Sequence, residues 1–253
     1  MTGFEVLVTG TGDGFSQTRY SASFLVRASG SLTAIECPGM FGKVLRDAAL
    51  KSGWDVSVAD VDDVVVTHIH GDHSNGLELY GYYKFFAQGR KPRVYALGDV
   101  FRSMWSGKLR GSMGTMLLDA KTGRRKAMAF GDYFKKVVLH EGVANKVNGL
   151  SVDVYRTMHS VPTSALRIRF RGGSIGYSSD TSFDPALIDF LSGCDVIFHE
   201  TGHGIHTDYR ELGRLSPSLR RRIRLIHVPD DFSGADRLMK VLEEGEVITV
   251  RGE

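Results

Sequence analysis

The sequence predicts an α/β fold in which two β-sheets pack against each other with helices on the outside. Three observations lead there. Short runs rich in β-branched and aromatic residues recur in both halves of the chain, bounded by glycine or polar turn residues. Segments with apolar residues at helical spacing punctuate those strands instead of gathering at one end. No short repeat and no linker rich in Pro or Ser divides the 253 residues, a length that supports one large core or two small ones. Each sheet can bury one face on its partner and cover the other with helices. One domain over residues 1–253 is therefore expected.

Taken in order, Phe4–Thr9 reads as a strand that ends in the glycine-rich Gly10-Thr11-Gly12-Asp13-Gly14. No GxGxxG, GK[ST] or long amphipathic helix follows, so a tight loop near an active site fits better than a nucleotide cradle. Tyr20–Arg27 and Leu32–Cys37 form a hairpin over Ser29-Gly30-Ser31. Pro38 opens a helix to about Lys51, with Phe41, Val44, Leu45 and Ala48 on one face. A strand through Val61–Val66 follows, then a helix through Leu77, Leu79 and Tyr80 to about Gln88, the strand Arg93–Leu97 and a helix Asp99–Ser106. Gly107–Gly131 is irregular, with five glycines and the basic residues Lys121, Arg124, Arg125 and Lys126. It reads as an insertion or a flap whose charges either steer a phosphate or face solvent. Strands return at Lys136–His140, Leu150–Thr157, Ala165–Phe170 and Ser174–Tyr177. A helix Phe183–Leu191 follows, with Asp184-Pro185 as N-cap and first-turn pair. The expected remainder is a strand Asp195–Phe198, a short helix Pro217–Arg222, a strand Ile223–Val228, a helix Gly234–Glu244 and a strand Val247–Arg251.

Composition narrows the functional classes. The net charge of +3 is compatible with an anionic substrate but is too small to mark a nucleic-acid binder by itself. The two cysteines, Cys37 and Cys194, lie beside apolar segments without CxxC spacing, which favours buried free thiols in a reducing compartment. The N-terminus lacks a basic segment followed by a long apolar one, and no apolar run reaches 18 residues. A cytoplasmic protein without a membrane partner is expected.

The chemistry concentrates in Thr67-His68-Ile69-His70-Gly71-Asp72-His73, which holds three of the chain's nine histidines. If the preceding strand continues, His68 and His70 project to one side. Gly71 lets the backbone turn, and the adjacent Asp72 and His73 can point apart, an arrangement suited to two neighbouring metal ions. Further candidates stand where strands finish: His159, Asp180 and His227. Strand ends are where a rigid scaffold presents chemistry on loops. Together these five histidines and two aspartates suffice for two metals with one carboxylate between them.

On these residues the chain resembles the metallo-β-lactamase-fold hydrolases, through THxHxDH at Thr67–His73 and the later His, Asp and His in the same order. Within them it is most similar to the ribonuclease Z and phosphodiesterase branch. That similarity rests on Gly10-Thr11-Gly12, Tyr177-Ser178-Ser179-Asp180-Thr181 and Asp195-Val196-Ile197-Phe198-His199-Glu200. The resemblance runs from residue 4 to about 230. It implies an αββα sandwich of two mixed sheets, with His68, His70 and His159 on one metal, Asp72, His73 and His227 on the second, and Asp180 bridging. Asp72 is carried over as part of the catalytic set as well. Two divalent ions are implied, with Zn²⁺ favoured by the donor set and Mn or Fe compatible with it. Hydrolysis would proceed through a metal-bridging hydroxide.

His199-Glu200-Thr201-Gly202-His203 also matches HExxH, but zinc-protease chemistry needs that motif on a helix. Here it follows a strand, and Gly202 and Gly204 each disfavour a helix by about 1 kcal/mol. The resemblance instead implies that Glu200 orients a histidine that protonates the leaving group. His206 and His203 are both candidates for that histidine. The basic residues around Ser218–Arg224 fit a solvated face or a phosphate contact.

The leading expectation is a two-metal phosphodiesterase acting on RNA or on a small or cyclic phosphodiester. The same centre could cleave a lactone, ester or thioester. A nucleic-acid-binding or regulatory protein with structural metals is the alternative outside enzymes; structural sites are usually closed, whereas seven ligands over two metals leave room for water. The substrate is expected to be anionic, a small molecule or a nucleic acid, and a homodimer is compatible with the sequence. No glycine- and proline-rich arm for gripping tRNA is visible.

Overall fold

The structure, a computed structural model, describes residues 3–232 and 238–251. Among the described residues sixteen strands form in chain order. The first five are β1 (Phe4–Gly10), β2 (Ser23–Ala28), β3 (Ser31–Ile35), β4 (Asp63–Val65) and β5 (Arg93–Leu97). Next come β6 (Thr115–Asp119), β7 (Arg124–Ala127), β8 (Lys135–Leu139), β9 (Asn145–Val147), β10 (Leu150–Arg156) and β11 (Ser164–Phe170). The last are β12 (Gly173–Tyr177), β13 (Val196–Glu200), β14 (Ile223–Ile226), β15 (Lys240–Val241) and β16 (Val247–Val250).

Two seven-stranded sheets result, ordered β16-β1-β2-β3-β4-β5-β8 and β15-β14-β13-β12-β11-β10-β9. Both are mixed. In the first, β16, β1, β2 and β3 pair antiparallel and β3, β4, β5 and β8 parallel. The second runs antiparallel from β9 to β12 and parallel from β12 to β15. This is the expected sandwich. Strands β1 to β4 are buried over most of their length. Phe24 of β2 packs edge-on against Tyr177 of β12 and Phe198 of β13, with ring centroids 5.2 and 5.1 Å away, and so fastens the sheets face to face.

Several segments differ from the expectation for identifiable reasons. Gly107–Gly131 is more regular than its glycines suggest. The helix Gly98–Met104 continues through a π-helical stretch, Trp105–Leu109, into Arg110–Met113, and β6 and β7 then form a separate two-stranded hairpin. Its apolar anchors Met104, Leu109 and Met113 are buried while Gly107 and Gly111 stay in open space, so burial outweighs glycine's poor helix propensity. The expected helix Gly234–Glu244 lies partly outside the described residues. Within them Lys240–Val241 is a strand, because its backbone completes the exposed edge of β14 in parallel pairing. The helix Pro185–Ser192 begins as expected, with the Asp184 side chain accepting from Ala186 N and Pro185 in the first turn. Two short elements, β9 and the helix Tyr209–Gly213, are too brief to show a period in the sequence. Among the described residues no helix is long and apolar enough to cross a membrane.

Candidate metal centre

The first half of the centre is built by one loop. β4 stops at Val65, so strand alternation is not what aligns His68 with His70. Extended backbone carries the chain past Val66, whose N–H donates to Tyr95 O at 2.9 Å. His70 then ends the extended run and caps the helical turn Gly71–Ser74. Ser74 Oγ donates to the carbonyls of Ile69 (3.0 Å) and His70 (2.9 Å), and Lys108 Nζ donates to Ile69 O at 2.8 Å and Ser74 Oγ at 2.6 Å. Cys37 N donates to His73 O at 2.8 Å, tying the loop to the end of β3. Gly76 returns the bond to Cys37 O, and a Cβ there would sit 2.1 Å from Pro38 O, so only glycine fits.

The second half comes from the ends of strands in the other sheet. His159 follows β10, Asp180 follows β12, Glu200 ends β13 and His227 follows β14. Two of these positions have strained backbones. Ser179, just before Asp180, and His227 adopt φ of 51° and 55°, the left-handed region that ordinary residues avoid. Both strands stop abruptly and turn their next side chain inward.

The loop and the strand ends meet in two groups that share Asp180. In the first, His70 Nδ1 lies 3.0 Å from His159 Nε2, and Asp180 Oδ2 is 3.7 Å from His68 Nε2 and 3.6 Å from His159 Nε2. In the second, Asp72 Oδ2 is 3.2 Å from both His73 Nε2 and His227 Nε2, while Asp180 Oδ1 is 3.2 Å from His73 Nε2 and 3.5 Å from His227 Nε2. The two Asp180 oxygens thus face different groups. Ligands bound at about 2.0–2.2 Å with tetrahedral angles stand about 3.3–3.6 Å apart, so these spacings suit a metal-sized gap in each group. Buried His68 Nε2 also has no hydrogen-bond partner among the described residues, although buried polar atoms are ordinarily satisfied. The residues present therefore fit two divalent cations.

Electrostatics separates the groups. Burial pushes the His68 and His70 imidazoles below their ordinary value and His159 down to about 4, which keeps them neutral with lone pairs free. Burial acts the same way on His73, but Asp180, Asp72 and Glu36 outweigh it and hold His73 well above the usual range. His227 is likewise raised, to about 9, by Asp180 and Asp72 against its burial. Asp72 and Asp180 resist burial through the neighbouring histidines and stay far below the carboxylate range. In the second group Asp72 and Asp180 draw positive charge onto His73 and His227, charge that a bound cation would supply in place of the histidine protons.

Several contributors were not evident from the sequence. Glu36, fully buried at the end of β3, accepts from the backbone N–H (3.2 Å) and hydroxyl of Thr67, and its Oε1 is 3.3 Å from His73 Nδ1. Thr67 Oγ1 also meets Ser179 Oγ at 2.7 Å and His68 Nδ1 at 3.1 Å, leaving Nε2 of His68 to face the centre. A lone Glu before a Pro-Gly turn gives no signal of this role. Glu200 is buried and accepts from Thr181 N at 2.9 Å. Of the two candidate histidines, His206 is the one beside it, with Nδ1 3.1 Å from both carboxylate oxygens and its ring centroid 5.1 Å from that of His227. Glu200 raises the His206 imidazole above its ordinary value. His203 is exposed and pairs with Asp231 at 3.0 Å. The HExxH stretch ends a strand and enters a loop, so the helical geometry of a zinc protease is absent.

A cavity of about 910 Å³ opens over the centre, lined by His70, Asp72, His159, Asp180, His206 and His227, with the loop Asp13–Phe15 along its rim. Among the described residues that line it, the arginine is Arg19. Lys121, Arg124, Arg125 and Lys126 are exposed on the β6–β7 hairpin and do not line it. Arg220, Arg222 and Arg224 spend their guanidinium groups on backbone carbonyls such as Gly213 O, Ser192 O and Arg221 O. The cavity therefore leaves room for a small group directly over the centre, with the imidazole of His206 at its edge.

Comparison with known proteins agrees with this architecture. Residues 4–248 match the family described as Anti-Pycsar protein Apyc1. The Anti-Pycsar protein Apyc1 of Paenibacillus sp. (strain J14) is 32% identical over 252 residues, covering 95% of this chain and 97% of the relative. Among solved structures, the metallo-beta-lactamase fold protein YhfI from Bacillus subtilis superposes with a TM-score of 0.74 at 17% identity, covering 98% of this chain and 99% of the other. The short form of human tRNase Z gives 0.67 at 16% identity over 97% and 99% of the two chains. At such identities these two likenesses establish the metallo-β-lactamase fold.

Proposed function

The chain belongs to the Anti-Pycsar protein Apyc1 family, and from that premise we propose that it is a two-metal phosphodiesterase acting on a small or cyclic phosphodiester such as a cyclic nucleotide. The observation that carries the reading is the division of the Asp180 carboxylate, one oxygen toward His68 and His159 and the other toward His73 and His227. His68, His70 and His159 would hold one cation, Asp72, His73 and His227 the other, with Asp180 between them. Nitrogen and carboxylate donors without thiolate favour Zn²⁺ and admit Mn or Fe. Bound cations would supply Lewis acidity, making water nucleophilic at neutral pH and balancing charge on the phosphoryl oxygens.

The chain's own residues do the rest. Asp180 and Asp72 orient the surrounding imidazoles, and Glu36 fixes Thr67 and stands against His73. His206, held by Glu200, carries the proton that the departing alkoxide needs. The cavity is of small-ligand size, and the basic hairpin residues stay outside it, which favours a compact diester over a long RNA.

The test is metal analysis followed by a substrate panel: bis-p-nitrophenyl phosphate, cyclic nucleotides, a precursor tRNA, a lactone and a thioester. Close to two equivalents of metal and preferential turnover of cyclic nucleotides are expected. Rapid lactone or thioester cleavage with every phosphodiester inert would overturn the proposal in favour of ester hydrolysis on the same centre. Tight nucleotide binding without turnover would favour a regulatory role.

A further inference from the structure

Phe15 is 91% exposed, Met40 62% and Ile205 53%, and all three line the rim of the metal cavity. Apolar side chains left in water at the mouth of a polar site have no packing reason to be there. Phe15 moreover does not sit on a slack loop. The Asp230 carboxylate, just beyond the His227 strand end, accepts from Ser16 Oγ (2.6 Å), Gln17 N (2.7 Å), Thr18 Oγ1 (2.6 Å) and Arg19 Nη1 (3.3 Å). Asp13 N donates to Val228 O at 3.2 Å, and Phe15 N donates to the Asp13 carboxylate at 3.0 Å. Gly14 passes so close to Asp72 that an added Cβ would sit 3.0 Å from Asp72 Oδ2. The loop is pinned to the segment that follows His227 and passes close to Asp72, and Phe15 is what it presents.

We propose that Phe15 is the specificity platform on which the nucleobase of the substrate stacks, flanked by Met40 and Ile205. The inference rests on the phosphodiesterase reading above. With phosphorus at Asp72 and Asp180, the remainder of a compact nucleotide extends toward the rim, where a flat aromatic face is the surface a base recognises. Three apolar side chains interrupted by Arg19 and His203 make too small a patch for a stable protein interface, which buries about 800 Å² on each partner. Stacking on one aromatic ring is worth about 5- to 150-fold in affinity and does not depend on which base is presented, so the platform selects nucleotides as a class.

The experiment compares Phe15→Ala and Phe15→Trp with the unaltered, metal-loaded protein on two probes, a 3′,5′-cyclic nucleotide and the same cyclic ribose phosphate lacking its base. In Phe15→Ala the ratio of kcat/KM for the nucleotide to that for the base-free probe falls about 5- to 150-fold, through KM and not kcat. Phe15→Trp restores it, and Phe86→Ala, an exposed phenylalanine outside the cavity, does not move it. Calorimetric titration with a nucleoside 5′-monophosphate and with ribose 5-phosphate reads the same ratio without turnover. A protein inert toward all phosphodiesters would therefore refute the proposed activity while the Phe15 assignment was still decided. An unchanged ratio, or an equal loss on both probes, overturns the assignment. So does a halved sedimenting mass in Phe15→Ala with the ratio intact, which would make Phe15 a contact between copies of the chain.

Discussion

The two sheets supply the centre in opposite ways. The first delivers four of its side chains from a single loop after β4, where local turns and Ser74 set the geometry. The second delivers His159, Asp180 and His227 singly, each from the end of a different strand, and their meeting depends on the register of β10 to β14. The dense loop is a local structure that any small change in the second sheet leaves largely intact. The dispersed half is a tertiary structure, held by strained turns at Ser179 and His227. A cation held between the two halves would have its affinity coupled to the packing of one sheet on the other.

Four perturbations sharpen or break that comparison. The largest effect is expected for Asp180→Ala, because one dispersed residue faces both groups. Turnover should fall by roughly 10³-fold or more and metal content should drop at both positions, whereas His227→Ala should empty only one. Retention of two metals with activity intact in Asp180→Ala would end the bridging reading. Next, Glu36→Gln neutralises the buried carboxylate that stands 3.3 Å from His73 Nδ1. Competition with a chelator should show metal affinity weakened about 10- to 100-fold, with the loss greater for the His73 group than for the His159 group.

The pH profile tests the edge of the dispersed half. Glu200 holds His206 above its ordinary value, so activity that needs the protonated imidazole is full at lower pH and declines as pH rises through the raised value. Glu200→Gln removes the cause, and the descending limb should move to lower pH, toward about 6.5. A limb that stays in place in both Glu200→Gln and His206→Ala would assign the proton elsewhere. The same ion pair stabilises the folded chain below the unfolded histidine's value and loses that contribution as pH climbs past the raised one.

The smallest change is expected for the β6–β7 hairpin. Arg124→Ala combined with Arg125→Ala should lower kcat/KM for a small diester by less than about threefold at low salt, and the difference should vanish near 1 M salt, where the Debye length is about 3 Å. A larger, salt-resistant loss would place the hairpin in substrate binding.

What could be read from the chain alone follows from range. The seven residues Thr67–His73 state their chemistry locally, since donors this close on one turn must face a common volume. Strand and helix periods likewise report burial along one segment, which is why the sandwich, the Asp184 cap and the strand-end positions of His159, Asp180 and His227 were legible. Which donors share a gap was implied by the family resemblance alone and not by the residues themselves, and the choice of His206 over His203 stayed open, because both depend on strands far apart in sequence. Glu36 and Phe15 were invisible for the same reason. A buried carboxylate and an exposed phenylalanine acquire meaning only from what lies 3 Å away, and the packing of two sheets decides that.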